Sequence, residues 1–175
     1  MRWNQALAKA LIAQLLLGAL TVCAQDIASV RIGFVLNFAR YVEWPETILK
    51  PGMPIYICLA PGDADMTGRI GELSKQIVQN RPIQARQITR PTEIDNCEVL
   101  YLPAELPTPA AAWLNAAAKV GALTVSDGPD FFDMGGMIGL VLTNRRYRFD
   151  INLGNVSQSN LRISTYLLKL ARTVK

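Results

Sequence analysis

The chain has 175 residues, with 18 lysines and arginines against 14 acidic residues, 3 cysteines and no histidine. A net charge of +4 is too small to argue for nucleic acid as a partner. The lack of histidine removes the commonest general base, nucleophile activator and metal ligand in one stroke.

Arg2 and Lys9 give a positive start, and no acidic residue precedes Asp26. Ala10 to Val22 is apolar apart from Gln14 and Thr21. That core fits the roughly 7–15 residues of a secretory signal and falls short of the ~20 that span a bilayer. Val22-Cys23-Ala24 puts small residues around a cut before Gln25. Residues 1–24 are therefore expected to be a cleavable signal that sends the protein to the periplasm. The alternatives are an uncleaved anchor and lipid attachment at Cys23. Residues 25–175 then form one domain, long enough to bury a real core, with a charge of about +2 once Arg2 and Lys9 are gone.

Export also bears on Cys58 and Cys97. In an oxidising compartment two thiols within reach pair, and a loop of about 39 residues would add ~4 kcal/mol on the chain-entropy model. The other reading is two unpaired thiols packed in the core.

Along the domain, Ile27, Val30, Phe34, Phe38 and Tyr41 recur at helical spacing, and Pro45 stops the helix predicted over 27–43. Residues 54–60 read as a buried strand ending at Pro61-Gly62-Asp63. Residues 66–78 read as a helix and Asn80-Arg81-Pro82 as a turn. Strands are expected at 83–88 and 97–102, a helix at 108–119, and strands at 121–126 and 137–143. Asn144-Arg145 turns the chain into residues 146–153, with Tyr147, Phe149, Ile151 and Leu153 on one face. Ile163, Leu167, Leu170, Ala171 and Val174 suit a last amphipathic helix. The fold class expected is α/β: a single-domain, mixed but largely parallel sheet flanked by helices, with a C-terminal antiparallel hairpin and a closing helix.

No catalytic constellation assembles from these residues, and no cofactor or metal is expected. Ser126 has no histidine partner, and neither a nucleophile elbow nor a phosphate-binding loop occurs. Asp63 and Asp65, after Gly62, could hold a cation but read as a turn and helix cap. Asp127, Asp130 and Asp133 do not have calcium-loop spacing. Asn37, Arg40 and Trp44 recur at i, i+3 and i+7 and could share a stripe that forms a pocket or docking edge, since Trp and Arg dominate binding hot spots. The plainer reading packs Trp44 at the core edge and pairs Arg40 with Glu43. Arg146 and Arg148 lie on the polar face of their strand, which is either merely solvated or meets a carboxylate or an acidic partner.

The motifs F-x-x-N-F-A-R-Y-V-E-W-P (34–45), I-C-L-A-P-G-D (57–63), C-E-V-L-Y-L (97–102), L-T-V-S-D (123–127), G-G-M-I (135–138), R-F-D-I-N-L (148–153) and L-R-I-S-x-x-L-L-K-L-A (161–171) occur in this order. Together they resemble the YfiR family. The resemblance implies a periplasmic α/β protein, often a homodimer, that is not an enzyme. It implies binding to the periplasmic sensor domain of an inner-membrane diguanylate cyclase, which lowers cyclic-di-GMP. It also implies an outer-membrane lipoprotein that sequesters the inhibitor. Cys58 and Cys97 match a pair that can bridge in the family, while a second pair found in some relatives is missing. An alternative function is a periplasmic binding module for a small aromatic or amphipathic ligand, with Arg40, Trp44 and Arg148 near its pocket.

Overall fold

The computed structural model describes residues 27–175; the expected signal at 1–24, with Cys23, lies outside them. Helix α1 (Ile27–Tyr41) buries Ala28, Ile32, Val35, Phe38 and Ala39, a stripe at three- and four-residue intervals. Its last turn gives way to the short strand β1 (Val42–Glu43). The carboxamide of Gln79 donates to the carbonyls of Ala39, Arg40 and Val42 at 3.1, 3.1 and 2.8 Å. It thereby satisfies oxygens that a helix end leaves without partners.

The chain then alternates. Strand β2 (Ile55–Leu59) is followed by two short helices, α2 (Ala64–Gly68) and α3 (Ile70–Leu73), and by the hairpin β3 (Ile77–Val78) and β4 (Arg81–Gln87). Next come β5 (Val99–Leu102), α4 (Ala110–Val120), β6 (Leu123–Ser126), β7 (Ile138–Thr143) and β8 (Arg146–Ile151). The chain closes with α5 (Leu153–Gln158), β9 (Arg162–Ile163), α6 (Thr165–Leu170) and β10 (Thr173–Val174). Eight strands form one sheet in the order β10-β8-β7-β6-β5-β2-β4-β3, and β1 pairs separately with β9. Strands β4, β2, β5, β6 and β7 are mutually parallel, while β8 runs antiparallel to β7. The expected largely parallel sheet with a C-terminal hairpin is what the chain forms.

Both faces of the sheet's centre are covered, which is why β5 and β6 are buried at every position. One core holds Ile57, Leu59, Val99, Tyr101 and Val125 together with α1, Met66 of α2 and Leu73 of α3. The other holds Cys58, Leu100 and Leu102 against Trp113, Leu114 and Ala117 of α4. Aromatic rings dock α1 onto the hairpin, with Phe38 and Phe149 centroids 5.1 Å apart and Phe34 to Phe149 at 5.9 Å.

Four expectations need correction. The helix predicted over 66–78 splits at Arg69 and ends at Leu73, and Ile77 and Val78 pair with Pro82 and Arg81 instead. Gln79 and Asn80 both take positive φ, 52° and 58°, so a two-residue hairpin turn wins over helical periodicity. The turn is therefore 79–80, and Arg81 and Pro82 already belong to β4. The closing helix spans only Thr165–Leu170; Ile163 lies in β9 and Val174 in β10, where main-chain pairing replaces a helical face. Leu153 opens α5 rather than continuing β8, because the Asn152 side chain caps that helix by accepting from the Asn155 amide at 3.1 Å. The Asn144-Arg145 turn forms as expected, with φ of 50° and 61°.

Cys58 and Cys97 are joined by a disulfide, with Cα atoms 5.9 Å apart. The bond lies in the α4-side core and links β2 to the start of β5. Among the described residues no helix is long and apolar enough to cross a membrane. Reduction of this bond is expected to lower stability by ~2–4 kcal/mol; calorimetry of the oxidised and reduced protein checks it, and unchanged melting would refute it.

Candidate functional site

The parallel strands run outward in opposite directions from the β2–β5 seam: β4 lies on one side of it, β6 and β7 on the other. In open α/β sheets the crevice beyond the carboxyl ends of strands at such a seam is the usual ligand site. Here the protein's own Arg31 fills it. Arg31 lies within the apolar stripe of α1, one turn from Ala28 and Val35, and its side chain is 11% exposed. Its Nη1 pairs with Asp63 Oδ2, which follows β2, and with Asp127 Oδ2 at 2.8 Å, just after β6. The same nitrogen donates to the Tyr101 hydroxyl of β5 at 2.9 Å.

Each carboxylate divides its work. Asp63 Oδ1 accepts from the Met66 amide at 2.9 Å and caps α2. Asp127 Oδ1 accepts from the Ala104 amide at 3.0 Å, which fixes the loop after β5. Gly62 completes the close approach: it takes φ of +119°, and a Cβ there would run into the Glu105 carbonyl. Three loops at the carboxyl edge are thus set by one guanidinium.

Burial opposes the charge on Arg31, but Tyr101, Asp63 and Asp127 outweigh it and raise its pKa. Burial, reinforced by the two carboxylates, drives the Tyr101 phenol far above its ordinary range. Tyr101 is therefore neutral at any working pH, and both carboxylates already carry a cation. The cluster organises loops and offers no free base. Arg31 Nε is buried without a hydrogen-bond partner, beside the two hydrogen bonds and the Asp63 ion pair made at Nη1.

The structure places the residues singled out from sequence at two separate edges. Asn37 and Arg40 are exposed near the end of α1, and Arg40 Nη1 donates to Asn37 Oδ1 at 3.1 Å rather than pairing with Glu43. Trp44 lies beyond the end of α1, so the three residues share no helical stripe. Its indole donates to the Glu98 carbonyl at 3.2 Å, at the amino edge of the sheet. There Trp44 lines an open groove of about 640 Å³ with Glu43, Asn160 and Arg162, a grouping created by the pairing of Glu43 with Arg162. Arg146 and Arg148 lie on β8 at the far, carboxyl edge. Trp44 and Arg148 thus line separate hollows, at the two ends of the sheet. Arg146 and Arg148 instead share a hollow of about 500 Å³ with Thr143, Asn144 and Arg172. Arg172 is held by Asp150, whose Oδ1 accepts from its Nε at 2.8 Å. That bond and the positive charge hold the Asp150 carboxyl below its ordinary pKa, against the effect of burial.

A family model matches residues 28–172. The chain belongs to the YfiR/HmsC-like family. The DUF4154 region covers every residue of the sheet up to β10, and the family is one of periplasmic regulators of diguanylate cyclase signalling, regulatory rather than catalytic. No curated protein matches the sequence significantly. A solved structure, a conserved domain protein from Vibrio cholerae O1 biovar El Tor strain N16961, is similar at 11% identity with a TM-score of 0.51. The match covers 74% of this chain and 57% of that one, so the likeness concerns the fold alone, and this chain spans little more than half of that structure.

Arg31, Glu98, Arg162 and Arg172 were not legible as site residues. Arg31 had one signal, a lone cation within a buried helical stripe; Asp63 and Asp127 had another, each closely following a parallel strand. Glu98 is 4% exposed, and its Oε2 accepts from the Tyr56 amide at 2.7 Å. Burial raises its pKa, only partly opposed by that bond and by Arg81.

Two outcomes follow. Arg31→Met leaves Asp63 and Asp127 facing each other without a cation and should cost about 3–5 kcal/mol at pH 7 by urea denaturation; an unchanged unfolding midpoint would contradict this. Glu98 has a folded pKa above its unfolded value, so its contribution is full below about pH 4.3 and is lost as pH rises through the folded value. Glu98→Gln keeps an acceptor without the charge and should be more stable than the native protein at pH 7, with the gain vanishing near pH 4. Equal pH profiles would contradict this.

Proposed function

We propose that this protein is a periplasmic inhibitor: it binds the sensor domain of an inner-membrane diguanylate cyclase, holds it in an inactive state and lowers cyclic-di-GMP. The observation that carries the reading is the family match over residues 28–172. The signal expected at residues 1–24 fits the same compartment. The Arg31 cluster is consistent with a protein that acts by binding, because it spends its ionisable groups on fixing loops. An inhibitor of this kind shifts an equilibrium only through its differential affinity for the two states of its partner. The reading extends to a homodimer and to an outer-membrane lipoprotein that withdraws the inhibitor from the cyclase.

The groove beside Trp44 and Arg162 favours a second role in which a small amphipathic ligand tunes the same regulator.

Deletion of the gene in a strain carrying the partner cyclase should raise cellular cyclic-di-GMP by about fivefold or more and increase biofilm, and expression of the full chain should restore both. The cyclase should co-purify with the protein from membranes. Unchanged cyclic-di-GMP together with no co-purification would overturn the reading.

A further inference from the structure

Strand β8 is longer than the strand that covers it. β10 pairs only with Asp150 and Ile151, and the amides of Arg172 and Lys175 donate to the carbonyls of Phe149 and Ile151 at 2.8 and 2.9 Å. Main-chain groups point to alternate sides along a strand. The N–H and C=O of Tyr147 therefore point to the same outer side as those carbonyls, ahead of where β10 begins. Among the described residues neither group has a hydrogen-bond partner. Arg146 and Arg148 flank this open position, both exposed, and no carboxylate among the described residues pairs with either. They line the hollow of about 500 Å³ with Arg172, whose charge is already taken by Asp150. On the opposite face of the hairpin Leu142, the cross-strand neighbour of Tyr147, is 57% exposed.

We infer that this edge is a docking strand: it takes an extended, carboxylate-bearing segment of a partner protein, which adds alongside β8 at Tyr147 and sets its acids against Arg146 and Arg148. The inference rests on the reading of a protein-binding regulator. Three observations fix the occupant. The open main-chain groups call for a strand. The arginines stand two residues apart, about 6.6 Å along the strand, the same repeat at which alternate side chains of an added strand would meet them. Charge on an edge ordinarily keeps sheets apart, but here it has one sign only. It repels a second copy of the same edge and admits an acidic one, with carboxylate–guanidinium bonds of the charge-assisted kind.

The test uses the exported chain and a blocked ten-residue peptide of alternating Glu and Thr, with its Gln-Thr counterpart as control. The Glu peptide is expected to bind and to slow amide exchange at Tyr147, and the double variant Arg146→Glu/Arg148→Glu, folded by circular dichroism, should bind it at least about tenfold more weakly. Equal binding of the Gln peptide, or binding of the Glu peptide without protection at Tyr147, would overturn the inference. So would binding to vesicles of anionic phosphatidylglycerol with none to the peptide, which would assign the arginines to a membrane. In cells the two readings separate: if deletion raises cyclic-di-GMP and the double variant still represses fully, the docking edge is wrong and the inhibitor stands. If deletion changes nothing, the inhibitor reading fails, and peptide binding alone decides the edge.

Discussion

A single buried guanidinium holds the carboxyl edge of this fold together. Arg31 reaches from α1 to residues that follow or belong to three of the five parallel strands, and its carboxylate partners pass the constraint on, Asp63 to the Met66 amide of α2 and Asp127 to the Ala104 amide of a loop. Replacing such a cluster by apolar side chains is often neutral, whereas removing one member is costly. Its value therefore lies less in stability than in geometry. It fixes how α1 lies across the sheet, and so where the opposite end of α1 delivers Trp44 and β1.

The same cluster explains why the usual ligand position of an open α/β sheet carries no ligand chemistry here. The crevice is occupied from within, and its tyrosine and two aspartates are all committed. Surfaces are left at the two ends of the molecule: a groove at the amino edge, where β1 meets β9, and an arginine-lined hollow at the carboxyl edge, beside the unpaired length of β8. The two are far apart and chemically unlike, which suits a protein that answers to more than one partner.

The regular parts of the fold were legible because their signals are local. Period-two alternation marked β8, short apolar runs marked β2, β5, β6 and β7, helical spacing marked α1, and an alanine-rich run marked α4. Misreadings arose where pairing partners lie far away. Ile77 and Val78 fit a helix by spacing alone, and only the left-handed residues Gln79 and Asn80 turn them into a strand. Ile163 and Val174 looked like the ends of a helix because their pairing partners, Val42 and Ile151, lie far away in the chain. The ionic cluster unites residues up to 96 positions apart, so nothing within a short window could reveal it. The order of the motifs conveyed family membership, while Arg146 and Arg148 were visible as charges without any sign that the main chain between them is open.

The Cys58–Cys97 bond and the Arg31 cluster act on the same seam from opposite faces of the sheet. One joins β2 to the lead-in of β5 covalently on the α4 side, and the other joins the loop after β2 to β5 through α1. For β5 to slide along β2, a covalent link and a desolvated charge cluster would have to give way together. A message passing through this protein therefore cannot be written as a change of register at its centre. It has to travel by the outer hairpin, by the loops, or by rigid rotation of the whole molecule.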